Sequence, residues 1–468
     1  MDYSMSNSYS NNNNNSNNNS NGVSSSNANN ILQGTTVHAQ LPPPVVLTPA
    51  LLGSLKVSKI FKDNTNIITS LDFDDTGVKC VTSAQDESLH VYDCVTGKLD
   101  KTLFSKKYGV HLARFTHRST NVVYASTKED DTLRYLSLHD NKYIRYFRGH
   151  EKKVTALEMS PLDDQFLAGS EGSIRLWDLR SPNCQGALSV IGRPAIAFDP
   201  SGLVFAVAIG STLRLYDVKV FDQGPFETAI IGLNNQNNQN GYNNTFNNPI
   251  LSSSSTSSSP IIVTQLEFSS DGKNILVSTA GDAHYIVDAY KPSATKLRLV
   301  GHYNSYSFGP RLGRSTFSGA GGRGGAGNGD DDEPFQSGGE ACWTPDGKCV
   351  VSGSRDGSIY VWDIAKAMSD QALGLFNHNN NNMGVNGAAT NTGVNGDLGQ
   401  SSSNLLSPDG ELRPFKALKA HGTPSHIVAF NPKYLMMVSG STELAFWEPD
   451  PNVVGMDALH DFSKGGRH

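Results

Sequence analysis

The chain has 468 residues, of which 38 are basic and 44 acidic, for a net charge of −6. That balance argues against nucleic-acid binding through bulk charge, and no apolar run reaches the roughly 18 residues of a membrane-spanning helix. The chain opens on Asn and Ser rather than on a basic end and an apolar run, so no secretory leader is expected.

Read from the start, residues 1–50 form an Asn- and Ser-rich tail that holds too little apolar surface to order itself. Similar compositions recur at about 234–259, 308–339 and 377–408, and residues 451–468 read as a C-terminal tail. Without these inserts, the segment 51–450 has the size of one large all-β domain. Its first element, Ser54–Phe61 (SLKVSKIF), alternates apolar and polar residues as a half-buried strand does.

Next comes a repeat. An apolar strand pattern ending on an aromatic residue or Met occurs seven times: ITSLDF at Phe73, VHLARF at Phe115, VTALEM at Met159, RPAIAF at Phe198, VTQLEF at Phe268, GEACW at Trp343 and HIVAF at Phe430. Asp, Pro and Gly turn signals follow it, as in DDTG, DPSG, SSDG and TPDG. The first spacings are 42, 44 and 39 residues and the later ones 70, 75 and 87. Each long gap contains one low-complexity insert, and subtracting it restores a period of about 40. Longer loops leave the repeat intact because closure entropy grows only logarithmically.

A second landmark closes a third strand in each copy: LHVYD, LRYLS, IRLWD, LRLYD, YIVDA, IYVWD and LAFWE. Trp177–Asp178 and Trp362–Asp363, with Gly149–His150 and Gly301–His302, resemble the WD repeat. The expected fold is therefore a seven-bladed WD-repeat β-propeller with disordered insertions and an N-terminal tail. Ser54–Phe61 is expected to form the outer strand of blade 7 beside LAFW, which removes an exposed sheet edge. His150, Ser170 and Trp177, with Asp163 or Asp164, could form a buried structural network, in blade 3 alone.

Catalytic machinery is missing from this reading, and the chain is expected not to be an enzyme. The five cysteines (Cys80, Cys94, Cys184, Cys342, Cys349) form no C-x-x-C pair and read as buried thiols of a reducing compartment, with no metal site and no cofactor. GGRGGAGNG at Gly321–Gly329 lacks the flanking strand, helix and Lys-Ser/Thr pair of a phosphate loop. Asp86, Asp346 and Asp356 fall in turns, where a carboxylate caps backbone N–H groups. An enzyme of this architecture would need a metal or carboxylate cluster at its central channel.

The function must then lie on the loops. Loops joining strands one to two and three to four share one face, here termed the turn face. Loops joining strands two to three, and successive blades, share the other, the loop face. The loop face is expected to gather Lys106, Lys107, Tyr108, Lys128, Arg148, Lys152, Lys153, Arg193 and Arg355. Such a basic patch suits an acidic or phosphorylated peptide, through charge-assisted hydrogen bonds. Leu133–Phe147 (LRYLSLHDNKYIRYF) adds an aromatic stripe that could dock a partner.

Four runs exceed what a propeller demands: SKKYGV (Ser105–Val110), RYLSLHDNKYIRYFRGH (Arg134–His150), IRLWDLRSPNCQG (Ile174–Gly186) and YDVKVFDQGPF (Tyr216–Phe226). Together they resemble the WD-repeat subunit of the SET-domain histone methyltransferase complex, the Swd or COMPASS type, which also occurs in a nuclear protein phosphatase complex. The resemblance implies a nuclear, non-catalytic scaffold. Its implied partners are a SET-domain histone H3 methyltransferase, the serine-phosphorylated tail of RNA polymerase II and a phosphatase scaffold. Chromatin would be reached through these partners, with neither membrane nor direct nucleic-acid binding. The alternative is a substrate receptor of a cullin ubiquitin ligase, for which Asp178-Leu179-Arg180 is a partial docking motif.

Overall fold

A computed structural model describes residues 47–232, 261–302, 339–374, 405–419, 421–450 and 452. Seven antiparallel sheets follow one another along the chain. Blade 1 consists of Ile68–Phe73, Lys79–Ala84, Ser88–Asp93 and Lys98–Phe104; blade 2 of His111–Phe115, Asn121–Ala125, Leu133–Ser137 and Lys142–Phe147; blade 3 of Val154–Met159, Gln165–Ser170, Ser173–Asp178 and Ser181–Ser189. Blade 4 has Pro194–Phe198, Val204–Ile209, Thr212–Asp217 and Glu227–Ile230; blade 5 has Val263–Phe268, Asn274–Thr279, Ala283–Asp288 and Thr295–Val300; blade 6 has Ala341–Trp343, Cys349–Gly353, Ser358–Asp363 and Lys416–Lys419.

Blade 7 takes Ile427–Phe430, Met437–Gly440 and Leu444–Pro449 from one end of the chain and Leu55–Phe61 from the other. The closing strand runs antiparallel, from Leu55 opposite Pro449 to Phe61 opposite Leu444, as the alternation in SLKVSKIF leads one to expect. Lys56 is ion-paired with Asp450 across the closure. The innermost strands of successive blades contact one another all the way round, blade 7 back to blade 1 included.

The core is correspondingly divided into seven apolar clusters, one between each pair of neighbouring blades. Trp177 fills the joint of blades 2 and 3, Trp362 that of blades 5 and 6, and Trp447 that of blades 6 and 7, each 1 % exposed or less. The WD-type tryptophans therefore work first as large wedges, each burying enough apolar surface for about 2–3 kcal/mol.

Two elements depart from the simple repeat. Helix α1 (Pro49–Gly53) precedes the closing strand, with Thr48 as its N-cap, so the order of the domain begins before residue 51. Helix α2 (Ile364–Ala372) follows the third strand of blade 6 directly. The aspartate of the WD dipeptide, Asp363, caps it by accepting the Lys366 N–H at 2.9 Å, and Ile364 and Ala367 face the Trp362 cluster. Residues 405–408, expected inside the third insert, belong instead to the fold. Leu406 is buried, and Glu411–Leu412 adds a short parallel strand to the outer edge of blade 5. The apolar Leu297 and Leu299 on that edge give the added segment a surface to cover. The expected insert at 234–259, residues 308–338 of the one expected at 308–339, residues 377–404 of the one expected at 377–408, the Gly321–Gly329 run, and residues 1–46 and 453–468 lie outside the described residues.

Candidate functional site

The loop joining blades 1 and 2 is a tight turn in which Ser105 O accepts from Gly109 N at 2.7 Å and from Tyr108 N at 3.2 Å. Gly109 has φ +69°, and a Cβ there would lie 1.8 Å from Thr127 Oγ1, so the turn requires glycine on both counts. Thr127 N and Lys128 N both donate to Tyr108 O, at 2.9 and 2.8 Å. The SKKYGV segment is thereby locked onto the loop between the second and third strands of blade 2.

That lock positions an alternation of rings and cations. The Arg134 guanidinium lies 3.7 Å from the Tyr108 ring centre and 5.8 Å from that of Tyr146. Arg148 lies 5.1 Å from the Tyr146 ring, and Lys107 5.1 Å from the Tyr108 ring. Such distances give cation–π attraction, stronger where water is excluded. Arg134 is 2 % exposed and holds Asp130 with two hydrogen bonds, at 2.8 and 3.0 Å. Burial alone would raise the Asp130 carboxyl, but hydrogen bonds from Arg134 and Thr132 bring it below the usual carboxylate range. Behind the rings, hydroxyls run from Ser105 to Tyr124 (3.1 Å) and on to Tyr143 (2.8 Å), whose ring is 5.5 Å from Tyr146.

The nine patch residues thus divide. Lys106, Lys107, Tyr108 and Arg148 gather around this ladder, with Lys106 also 5.5 Å from the Phe104 ring. Lys128 and Lys153 line a separate cavity of about 170 Å³ together with Thr69, Gln85 and Glu87. Lys128 is ion-paired with Glu87, and Lys152 with Glu171 at 3.1 Å, which takes much of their charge out of play. Burial first, and the charges of Lys153 and Arg193 second, hold buried His111 well below its usual pKa. Arg355 stands in the loop before Ser358–Asp363, in blade 6, and is not brought to the cluster, because sharing a face does not bring together residues of blades that do not adjoin.

Arg134, Tyr143 and Tyr146 were not among the patch residues expected from charge alone. Their signal was the aromatic stripe of Leu133–Phe147, which the structure joins to the basic loops as one surface. Tyr143, Ile144 and Tyr146 are 36–47 % exposed on its outer strand.

The expected blade 3 network is only partly built. His150 Nδ1 meets Ser170 Oγ at 2.8 Å, and burial lowers the His150 pKa to about 4. Trp177 joins by packing alone, 6.4 Å from the imidazole centre, and its Nε1 has no hydrogen-bond partner among the described residues. Neither Asp163 nor Asp164 takes part, because both sit in the turn at the opposite end of the strands, bound to His117 and Leu179 through their carbonyls. The hydrogen-bonded His–Ser–Trp triad is found in blade 7 instead. There Ser439 Oγ bonds His421 Nε2 and Trp447 Nε1, both at 2.8 Å. In blade 6 the corresponding serine, Ser352, is taken by His284 Nε2 from blade 5 at 2.9 Å, and His302 stacks on His284 at 4.2 Å.

Other expected roles are plain in the geometry. Asp86 accepts Thr65 N at 2.8 Å and Ser88 N at 3.1 Å, Asp346 accepts Thr344 Oγ1 at 2.7 Å, and Asp356 accepts Ser358 N at 3.1 Å. Arg180, the last residue of the partial cullin-adaptor motif, is held by two hydrogen bonds to Asp178, at 2.9 and 2.7 Å. Four cysteines are buried and Cys184 is partly so, and burial raises the Cys94 thiol to about 12.

Comparison with known proteins agrees with this architecture. The family described as WD domain, G-beta repeat matches residues 55–93, 141–178 and 340–363. The chain is 36 % identical over 407 residues to WD repeat-containing protein 82 of Drosophila melanogaster, covering 86 % of this chain and 98 % of that one. It is 34 % identical over 414 residues to the Set1 complex component swd2 of Schizosaccharomyces pombe, covering 86 % and 99 %. Against the COMPASS component SWD2 of Saccharomyces cerevisiae it is 31 % identical over 386 residues, covering 82 % and 91 %.

Proposed function

The chain belongs to the WD-repeat family that includes the Set1 complex component swd2 and the COMPASS component SWD2, and from that premise we propose that it is a non-catalytic scaffold subunit of a histone H3 lysine methyltransferase complex. In this reading it acts in the nucleus, touches chromatin through its partners, and also serves a nuclear phosphatase scaffold. Its own recognition task is the serine-phosphorylated C-terminal tail of RNA polymerase II.

One observation carries the recognition part: the ladder of Lys107, Tyr108, Arg134, Tyr146 and Arg148 on the loop face. Arg134 is spent on Asp130 and the rings and orders the site. Lys106, Lys107 and Arg148 remain exposed and are the groups available to a phosphate, with aromatic faces beside them for an adjoining ring. The test is titration of a serine-phosphorylated polymerase tail peptide onto wild type and onto the triple variant Lys106→Glu/Lys107→Glu/Arg148→Glu. Binding should weaken by about tenfold or more while the melting temperature stays constant. Equal affinity in both proteins removes the patch from the account.

A further inference from the structure

The turn face carries a feature that this function does not use. At its centre a cavity of about 300 Å³ reaches into the channel, walled by residues of all seven innermost strands. Four charged side chains occupy the same register position, one residue before the strand-ending landmark: Asp72, Arg114, Glu158 and Glu267. Three carboxylates therefore face one guanidinium, which lies 3.7 Å from Glu158. Asp72 accepts Phe115 N at 2.7 Å and Glu267 accepts Trp343 N at 3.3 Å, so each also links its blade to the next. Gln265 lines the cavity as well, and its carbonyl Oε1, shielded from solvent, has no donor among the described residues.

Along one side of the mouth runs an apolar strip. Pro161 and Pro200 line it, and Leu162 and Leu203 beside them are 64 % and 52 % exposed. Leu162 Cγ would lie 3.0 Å from a Cβ placed on Gly202, and Pro200 Cδ 3.6 Å from one placed on Gly272. The turns of blades 3, 4 and 5 thus meet as a single lip. Those turns, residues 160–164, 199–203 and 269–272, carry four aspartates and neither lysine nor arginine. Lys273, next in the chain, is engaged with Asp271 at 3.5 Å. The four turn aspartates around this lip favour a cationic occupant, and a cation entering the hole would draw the buried acids Glu158 and Glu267 to their ionised forms.

We propose that the turn-face mouth of the channel docks a basic segment of a partner protein, one lysine or arginine side chain entering the cavity and its apolar neighbours resting on the Leu162–Leu203 lip. The side chain donates to Glu158, Glu267 and Gln265 Oε1. This face is opposite the loop patch, so the two partners can be held together.

The test is selection of short random peptides on the full-length protein, followed by affinity measurement of those enriched. Enriched sequences should share a Lys or Arg flanked by apolar residues. Their binding should fall by about tenfold in Glu158→Gln/Glu267→Gln and severalfold in Leu162→Ser/Leu203→Ser, and stay unchanged in Lys107→Glu/Arg148→Glu. The lip variant touches only exposed side chains, so it decides the matter if the channel variant fails to fold. Enriched peptides without a basic residue, no enrichment at all, or basic peptides that bind the lip variant as well as wild type would each overturn the proposal.

Discussion

Replacing Ser439 by alanine should destabilise the protein more than the same change at Ser170, although both serines hold a WD-type histidine. Ser439 is fully buried and bonds two groups, His421 Nε2 and Trp447 Nε1, each at 2.8 Å. Its loss removes two hydrogen bonds, each of about 1 kcal/mol net, and leaves an imidazole and an indole nitrogen without their partner, for a cost of about 2–4 kcal/mol. Ser170 holds only His150 Nδ1 at this distance, since Trp177 Nε1 has no partner among the described residues, and its loss should cost about 1–2 kcal/mol. The difference matters against a total stability of about 5–15 kcal/mol. It is also concentrated in the blade that joins the two ends of the chain. Urea unfolding followed by tryptophan fluorescence measures both variants on one scale, provided the slopes agree. A Ser439→Ala midpoint equal to or above that of Ser170→Ala would refute the assignment of the network to blade 7.

Arg134→Ala should cost about 2–4 kcal/mol, because it strips Tyr108 and Asp130 of their shared partner, whereas exposed Arg148→Ala should stay within about 0.5 kcal/mol; equal midpoints would contradict the ordering role of Arg134. Deleting residues 47–61 removes the burial of Leu52, Leu55 and Phe61, about 2 kcal/mol each, and bares Leu444–Pro449 as an open edge, so light scattering should show aggregates; a monomer with native melting would refute closure by this strand. Burial raises Glu267 to about 8 and Asp72 to about 7, so between their unfolded and folded values the native state binds more protons and stability falls as pH rises. The buried His150, His302 and His421, lowered to about 4, act oppositely, losing stability as pH falls below about 6.5, and are silent above it. The decline in melting temperature from pH 6.5 to 8 should therefore shrink in Glu267→Gln; an unchanged slope would mean that this carboxyl does not titrate there.

Much of this architecture could be read before any coordinates, because a blade writes two markers at a fixed interval and all seven pairs survive the inserts. The closing strand was equally legible from its period-two pattern and its place before the first blade. Helix α2 was not, since IAKAMSDQA follows a strand ending in Asp363 and gives its start signal only once that aspartate is known to cap it. The strand at Glu411–Leu412 is too short to show any period. In the network, the dipeptide in blade 7 is His421–Gly422 rather than Gly-His, and so it escaped notice; counting back nine residues from the landmark finds both His150 before Met159 and His421 before Phe430. The intrusion of His284 into blade 6 depends on which side chains cross the seam between neighbouring blades, and no local pattern carries that. The patch was half visible. Lys106, Lys107, Tyr108 and Arg148 follow from loop charge, but Arg134 looked like an ordinary strand residue until its burial against Tyr108 showed that it organises the rest.

The claim on which the functional account stands is membership in a methyltransferase assembly. Affinity purification of the tagged full-length chain from nuclei, with quantitative mass spectrometry, tests it most directly. The account predicts recovery of a SET-domain histone methyltransferase in near-equal amount. A chain that brings down a cullin adaptor or other partners with no such methyltransferase would contradict it.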